Sequence, residues 1–109
     1  MRERDGCALL KERFEKAGFV IQEGYRLDEE GLRIELDGFD PGRRVGYEYV
    51  TAEAGDPWEV TPAVVDRLGE RMERGELFVL VVDEEEAADA ETLAFAADRF
   101  LERLRSLRP

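Results

Sequence analysis

A chain of 109 residues, 39% of them charged and with a net charge of -11, has the size of one folded domain and enough apolar residues for a single core. The lone Cys7 and the absence of histidine exclude an internal disulfide, a multi-cysteine zinc site, histidine acid–base chemistry and the histidine-assisted forms of serine and cysteine catalysis. The acidic excess repels phosphate backbones, so binding of nucleic acid is disfavoured without a locally basic face.

Met1 to Asp5 is charged and no apolar run follows, and no stretch reaches the length of a membrane span. The expectation is a cytoplasmic protein with no signal peptide and no membrane contact. Cys7, Leu10, Phe14 and Ala17 recur in steps of three and four, which predicts an amphipathic helix with Gly18 as its C-cap. Phe19-Val20-Ile21 opens a short strand closed by Gly24. Leu32, Ile34 and Leu36 alternate with Arg33, Glu35 and Asp37, the pattern of a strand with one covered face. Asp40-Pro41-Gly42 is a turn signal. Val45 to Thr51 is the returning strand, with Val45, Tyr47 and Tyr49 on one face and Gly46, Glu48 and Val50 on the other.

Ala54-Gly55-Asp56-Pro57 breaks the sheet. Thr61 before Pro62 is an N-cap with proline at the first helical position. Val65, Leu68 and Met72 point inward from this helix, which Gly75 ends. Between Glu76 and Asp83 lies the apolar run Leu77 to Val82, which suits a central strand covered on both faces. Glu84-Glu85-Glu86 is a solvated connector. The last helix runs from about Ala90 to Leu107 on a stripe of Leu93, Ala97, Phe100, Leu104 and Leu107, with Phe95 off it. The fold class is α/β (α+β): one domain spanning 1–109, a mixed four-stranded sheet flanked by helices, in the order αβββαβα.

Two acids stand out in this frame, Asp37 in Leu36-Asp37-Gly38 and Glu48 in Glu48-Tyr49-Val50. With the order of elements, they resemble the core of the PD-(D/E)XK, or restriction-endonuclease-like, superfamily. The resemblance implies that Asp37 closes the second strand and Glu48 takes the acid position of the acid-x-lysine triplet. Glu15 or Glu12 would be the assisting acid of the first helix. A magnesium or manganese ion would sit between Asp37 and Glu48, completed by water and substrate oxygens. The sequence departs from the pattern in two places: Val50 stands where the family has lysine, and the motif's proline is absent. Lys11 is the candidate replacement lysine. Arg43 and Arg44, near the turn, offer a phosphate clamp or simply an exposed hairpin tip.

The same residues have plainer readings. Asp37 can begin an Asp-Gly turn and Glu48 can be a solvated strand residue. Asp83 suits a strand end capping the next loop. Cys7, on the apolar stripe, reads as a buried small hydrophobe. Tyr47 and Tyr49 read as core before they read as base-stacking platforms. Trp58 and Phe95 are candidates for a protein contact, with a partner or in a homodimer. Three functions follow. The first is a degenerate nuclease-like domain, a pseudoenzyme that acts as a protein-interaction module. The second is a magnesium-dependent nuclease using Asp37 and Glu48. The third is an acidic inhibitor or immunity-type partner protein.

Overall fold

The computed structural model describes residues 2–29, 31–50, 61–87 and 89–107. The elements are α1 (Glu3–Lys16), β1 (Gln22–Glu29), β2 (Leu32–Asp40), β3 (Val45–Val50), α2 (Pro62–Glu73), β4 (Phe78–Asp83) and α3 (Ala90–Leu107). This is the expected order. Trp58 and the Ala54–Pro57 breaker lie outside the described residues.

Helix α1 carries Glu3 and Asp5 in its first turn and Arg13 and Lys16 in its last, the arrangement that complements the helix dipole. It ends where Gly18 takes a φ of 98° and the Phe19 N–H donates to the Phe14 carbonyl at 3.1 Å, a glycine-terminated C-cap. Strand β1 then starts at Gln22, after the Phe19–Ile21 segment rather than in it. Gly24, expected to close the strand, lies inside it with a φ of 59°. A glycine there kinks a strand without ending it.

The sheet order is β1-β2-β3-β4. The first three strands form an antiparallel meander, and β4 runs parallel to β3, as a crossover through α2 requires. Helices α1 and α3 cover one face. There Leu10, Phe14, Val45, Tyr47, Tyr49 and Leu93 share a core, and the Phe14 ring lies 5.1 Å from that of Tyr47. Helix α2 covers the other face, its Leu68 packed in one cluster with Ile34, Leu36, Phe39, Leu77 and Val79. Tyr47 and Tyr49 are core residues, as their alternation predicts.

Three expectations need correction. Strand β4 is at the edge of the sheet, not its centre; its apolar run reports two covered faces and says nothing about its edges. Val65 is exposed, and the inward stripe of α2 runs through Val64, Leu68 and Met72, which are spaced by four. Leu107 is 56% exposed rather than buried, whereas Phe95, at 65%, is exposed as expected.

The β2–β3 turn is held from outside. Asp40 accepts the Gly42 and Arg43 N–H groups at 3.0 Å each and the Val20 N–H at 2.9 Å. Arg44 takes a φ of 57°, costly for a residue with a side chain. Its guanidinium is fixed by the Glu76 carbonyl at 2.8 Å and by Glu29 at 2.7 Å. Glu29 also pairs with Arg71 of α2 at 2.6 Å, so one partly buried carboxylate ties β1, the turn and α2 together. Arg43 lies over the Phe19 ring at 4.2 Å.

Candidate functional site

The site lies where the sheet opens. Strands β2 and β3 pair at Asp40–Val45, Phe39–Gly46 and Gly38–Tyr47, and among the described residues the ladder goes no further. Beyond that point β2 stays with β1 and β3 stays with β4. Leu36 and Phe39 both face α2, while Gly38 lies against the Tyr47 ring on the α1 side. The alternation of β2 is therefore broken between Leu36 and Phe39. Gly24 kinks β1 between the pairs Glu23–Gly38 and Tyr25–Leu36, so both strands bend at one level.

Two carboxylates span the opening. The Asp37 N–H donates to Glu48 Oε1 at 3.0 Å, and the Tyr49 N–H donates to Asp37 Oδ2 at 2.8 Å. Each acid thereby satisfies a backbone donor of the opposite strand that the interrupted ladder leaves without a carbonyl. Glu48 is only 8% exposed. Burial, together with the hydrogen bond and charge of Asp37, raises its pKa far above the usual carboxylate range, so Glu48 is protonated at neutral pH.

Helix α1 supplies the third side. Gly6 allows the helix to rest on Tyr49; a Cβ there would lie 3.2 Å from the ring. That contact brings Glu3 and Cys7, one turn apart, over Asp37. One ligand atom from each of Glu3, Cys7 and Asp37 lies within 4.8 Å of the others. Burial and the neighbouring Asp37 push the Cys7 thiol well up from its ordinary value, which keeps it protonated and unreactive. Cys7 is half-buried rather than buried. The Tyr47 phenol, fully buried, is also pushed up, by burial first and then by Cys7, Glu23, Asp37 and Glu15 around it. Its oxygen has no hydrogen-bond partner among the described residues.

The structure therefore brings Asp37 and Glu48 together and adds Glu3, which the motif does not select. Glu15 is exposed, and Glu12 pairs with Lys16 at 3.8 Å; neither is the α1 acid over Asp37. Lys11 is held by Glu23 at 3.0 Å, an ion pair that raises its pKa. Val50 is half-buried and pairs in register with Asp83 of β4. Asp83 caps the next turn, accepting the Glu85 N–H at 2.8 Å. The signal that points to Glu3 is its spacing of four from Cys7, which places the two on one helix face.

For a metal, the donors divide by chemistry. Magnesium and manganese ask for oxygen ligands. One oxygen of Asp37 and one of Glu48 are already taken by backbone N–H groups, and burial favours a proton on Glu48 that such an ion would have to displace. The Glu3–Cys7–Asp37 set offers two carboxylate oxygens and a sulfur instead. Comparison with family models, with curated proteins and with solved structures finds no match to this chain.

Proposed function

We propose that this domain is a non-catalytic, nuclease-like module of the restriction-endonuclease-like type, and that it docks a partner protein along the open edge of β4. The observation that carries the first half is the use made of Asp37 and Glu48. In a nuclease these acids would be charged and free to bind metal. Here each accepts a backbone N–H across the strand opening, and Glu48 is held neutral. The position expected to carry lysine is Val50, and Lys11 is engaged by Glu23. Valine at that position cannot supply the charge that a lysine would bring to the reacting phosphate.

The second half rests on the edge. Phe78 to Val82 carries no charge, and β4 pairs only with β3 among the described residues. A groove of about 370 Å³ follows it between α2 and α3, lined by Met72, Phe78, Leu80, Phe100, Leu104 and Leu107. An added strand would gain backbone hydrogen bonds and bury alternate side chains in that groove. Acids outnumber bases around β4: Glu73 and Glu76 precede it, Asp83 ends it and Glu84 to Glu86 follow, against Arg74, which pairs with Glu76 at 3.3 Å, and Arg103 on the groove wall. The occupant they suit is an extended segment rich in basic residues, not a second copy bearing the same charge of -11.

The test is a titration with a synthetic ten-residue peptide of alternating valine and lysine, followed by hydrogen exchange. The expected result is saturable binding that slows exchange of the β4 amides pointing away from β3. In Leu107→Lys, which alters an exposed groove residue, binding weakens at least tenfold. Protection that instead grows with protein concentration alone would make the occupant a second copy and overturn the assignment to a basic partner. A parallel incubation with DNA and RNA, in magnesium or manganese, is expected to give no cleavage. Cleavage by the wild type that disappears in Asp37→Asn would overturn the non-catalytic reading.

A further inference from the structure

We infer that Glu3, Cys7 and Asp37 form a binding site for a thiophilic divalent cation of the zinc class. The inference is independent of partner docking at β4. Donor atoms of the three residues lie within 4.8 Å of one another. A tetrahedral zinc ion with sulfur at about 2.3 Å and oxygen at about 2.0 Å needs donors roughly 3.3–3.5 Å apart. Closing the difference takes a shift of the Glu3 side chain, which is exposed at the start of α1, out of its metal-free contacts. Asp37 is fixed by the Tyr49 N–H, and Cys7 by its place on the helix face packed over β3. Two of the three ligands are thus set in place before the ion arrives.

The second observation is independent of the ligand set. Tyr47 is fully buried, yet its hydroxyl has no hydrogen-bond partner among the described residues. Buried hydroxyls are rarely left so. The hydroxyl lies over Gly38, the residue next to the proposed ligand Asp37, and Cys7 and Asp37 are among the groups that act on it, together with Glu23 and Glu15. A water molecule completing the coordination of an ion held by three protein donors would give the phenol its partner. Outer hydrogen bonds of this kind commonly set metal affinity within a factor of about 10–100.

The donor set also fixes the class of ion. A thiolate beside two carboxylates favours zinc, cobalt and cadmium over magnesium and calcium. Binding releases the Cys7 proton to solvent as the sulfur–metal bond forms, so affinity rises with pH. Glu48 is not part of the set, since its Oε1 is committed to the Asp37 N–H.

The experiment uses the full chain, reduced and stripped with chelator, then titrated with zinc, cobalt or magnesium chloride. Calorimetry is expected to show one equivalent of zinc and no magnesium binding. Cobalt is expected to give the near-ultraviolet charge-transfer band of a thiolate ligand. Cys7→Ser removes that band and weakens zinc at least tenfold. Glu3→Gln, at an exposed position, weakens zinc at least tenfold as well while a chelator-treated unfolding curve reports any cost to folding, and Tyr47→Phe weakens it about tenfold. The absence of a cobalt–thiolate band, or zinc binding unchanged in Glu3→Gln and Cys7→Ser, would overturn the inference.

Discussion

Gly38→Ala and Gly46→Ala are each expected to cost about 3 kcal/mol or more in folding stability, the range of severe overpacking. A Cβ on Gly38 would overlap Tyr47 Cζ and the Tyr47 hydroxyl. The Tyr47 ring cannot move aside, because Phe14 packs against it at 5.1 Å. A Cβ on Gly46 would overlap the Gly38 carbonyl oxygen and lie 2.9 Å from the Phe39 Cα, so there the obstruction is backbone. The two variants differ in how they can be rescued. Tyr47→Ala removes the ring over Gly38, so Gly38→Ala combined with Tyr47→Ala should cost clearly less than the sum of the single changes. Gly46→Ala combined with Tyr47→Ala should add without such relief. Urea unfolding of the single and double variants measures both outcomes; additivity at Gly38 would show that the ring is not what confines that position.

The second large effect is a pH dependence carried by Glu48 in metal-free protein. Its folded pKa is raised above the unfolded value by burial and by Asp37. Below the unfolded carboxylate pKa both states hold the proton and the full stability is present. As pH rises above that value the unfolded chain releases the proton while the folded chain keeps it, so stability falls until the folded pKa is passed. Between pH 5 and pH 8 the loss from this one group is expected to be about 2–3 kcal/mol, since each tenfold difference in proton affinity between the folded and unfolded chain is worth about 1.4 kcal/mol. Glu48→Gln keeps an oxygen for the Asp37 N–H and supplies an amide N–H to the Asp37 carboxylate in place of the carboxyl proton. The variant should match the wild type near pH 5 and exceed it by about 2 kcal/mol near pH 8. Denaturant unfolding at the two pH values, with chelator present, decides it. Repulsion from the acidic surface is common to both proteins, so equal slopes would mean that Glu48 is ionised in the folded state.

What the sequence makes legible follows how local each cause is. The start of α2 is readable because its cap is local chemistry: Thr61 Oγ1 accepts the Val64 N–H at 3.2 Å, with proline following. The shared face of Tyr47 and Tyr49 is readable because strand period alone sets it. The bounds of strand β1 are not, because Leu27 is its one buried residue, so no alternation marks it, and its internal Gly24 looks like a stop. The edge position of β4 cannot be read from its apolar run, because strand order is set by the crossover and not by composition.

The candidate site divides in the same way. Asp37 and Glu48 are visible as acids on adjacent strands, and the short turn between those strands brings them opposite. The spacing of four puts Glu3 on the helix face of Cys7, but that this face rather than the one of Glu12 or Glu15 meets Asp37 depends on where the axis of α1 crosses the strand opening. That crossing is set by the approach of Gly6 to the Tyr49 ring, a contact between residues distant in sequence. The orphaned Tyr47 hydroxyl is invisible for the same reason.

The open edge of β4 has a consequence for solubility. An edge strand with five successive uncharged residues, Phe78 to Val82, is the type of segment that seeds fibrillar aggregates. Here the acids on either side act as gatekeepers, and the net charge of -11 keeps copies apart. That protection is itself titratable. Near the sequence pI of about 4.5 the colloidal repulsion vanishes while the edge stays apolar. A ligand strand lying along β4 would relieve the hazard, acting in effect as a chaperone for the surface it recognises.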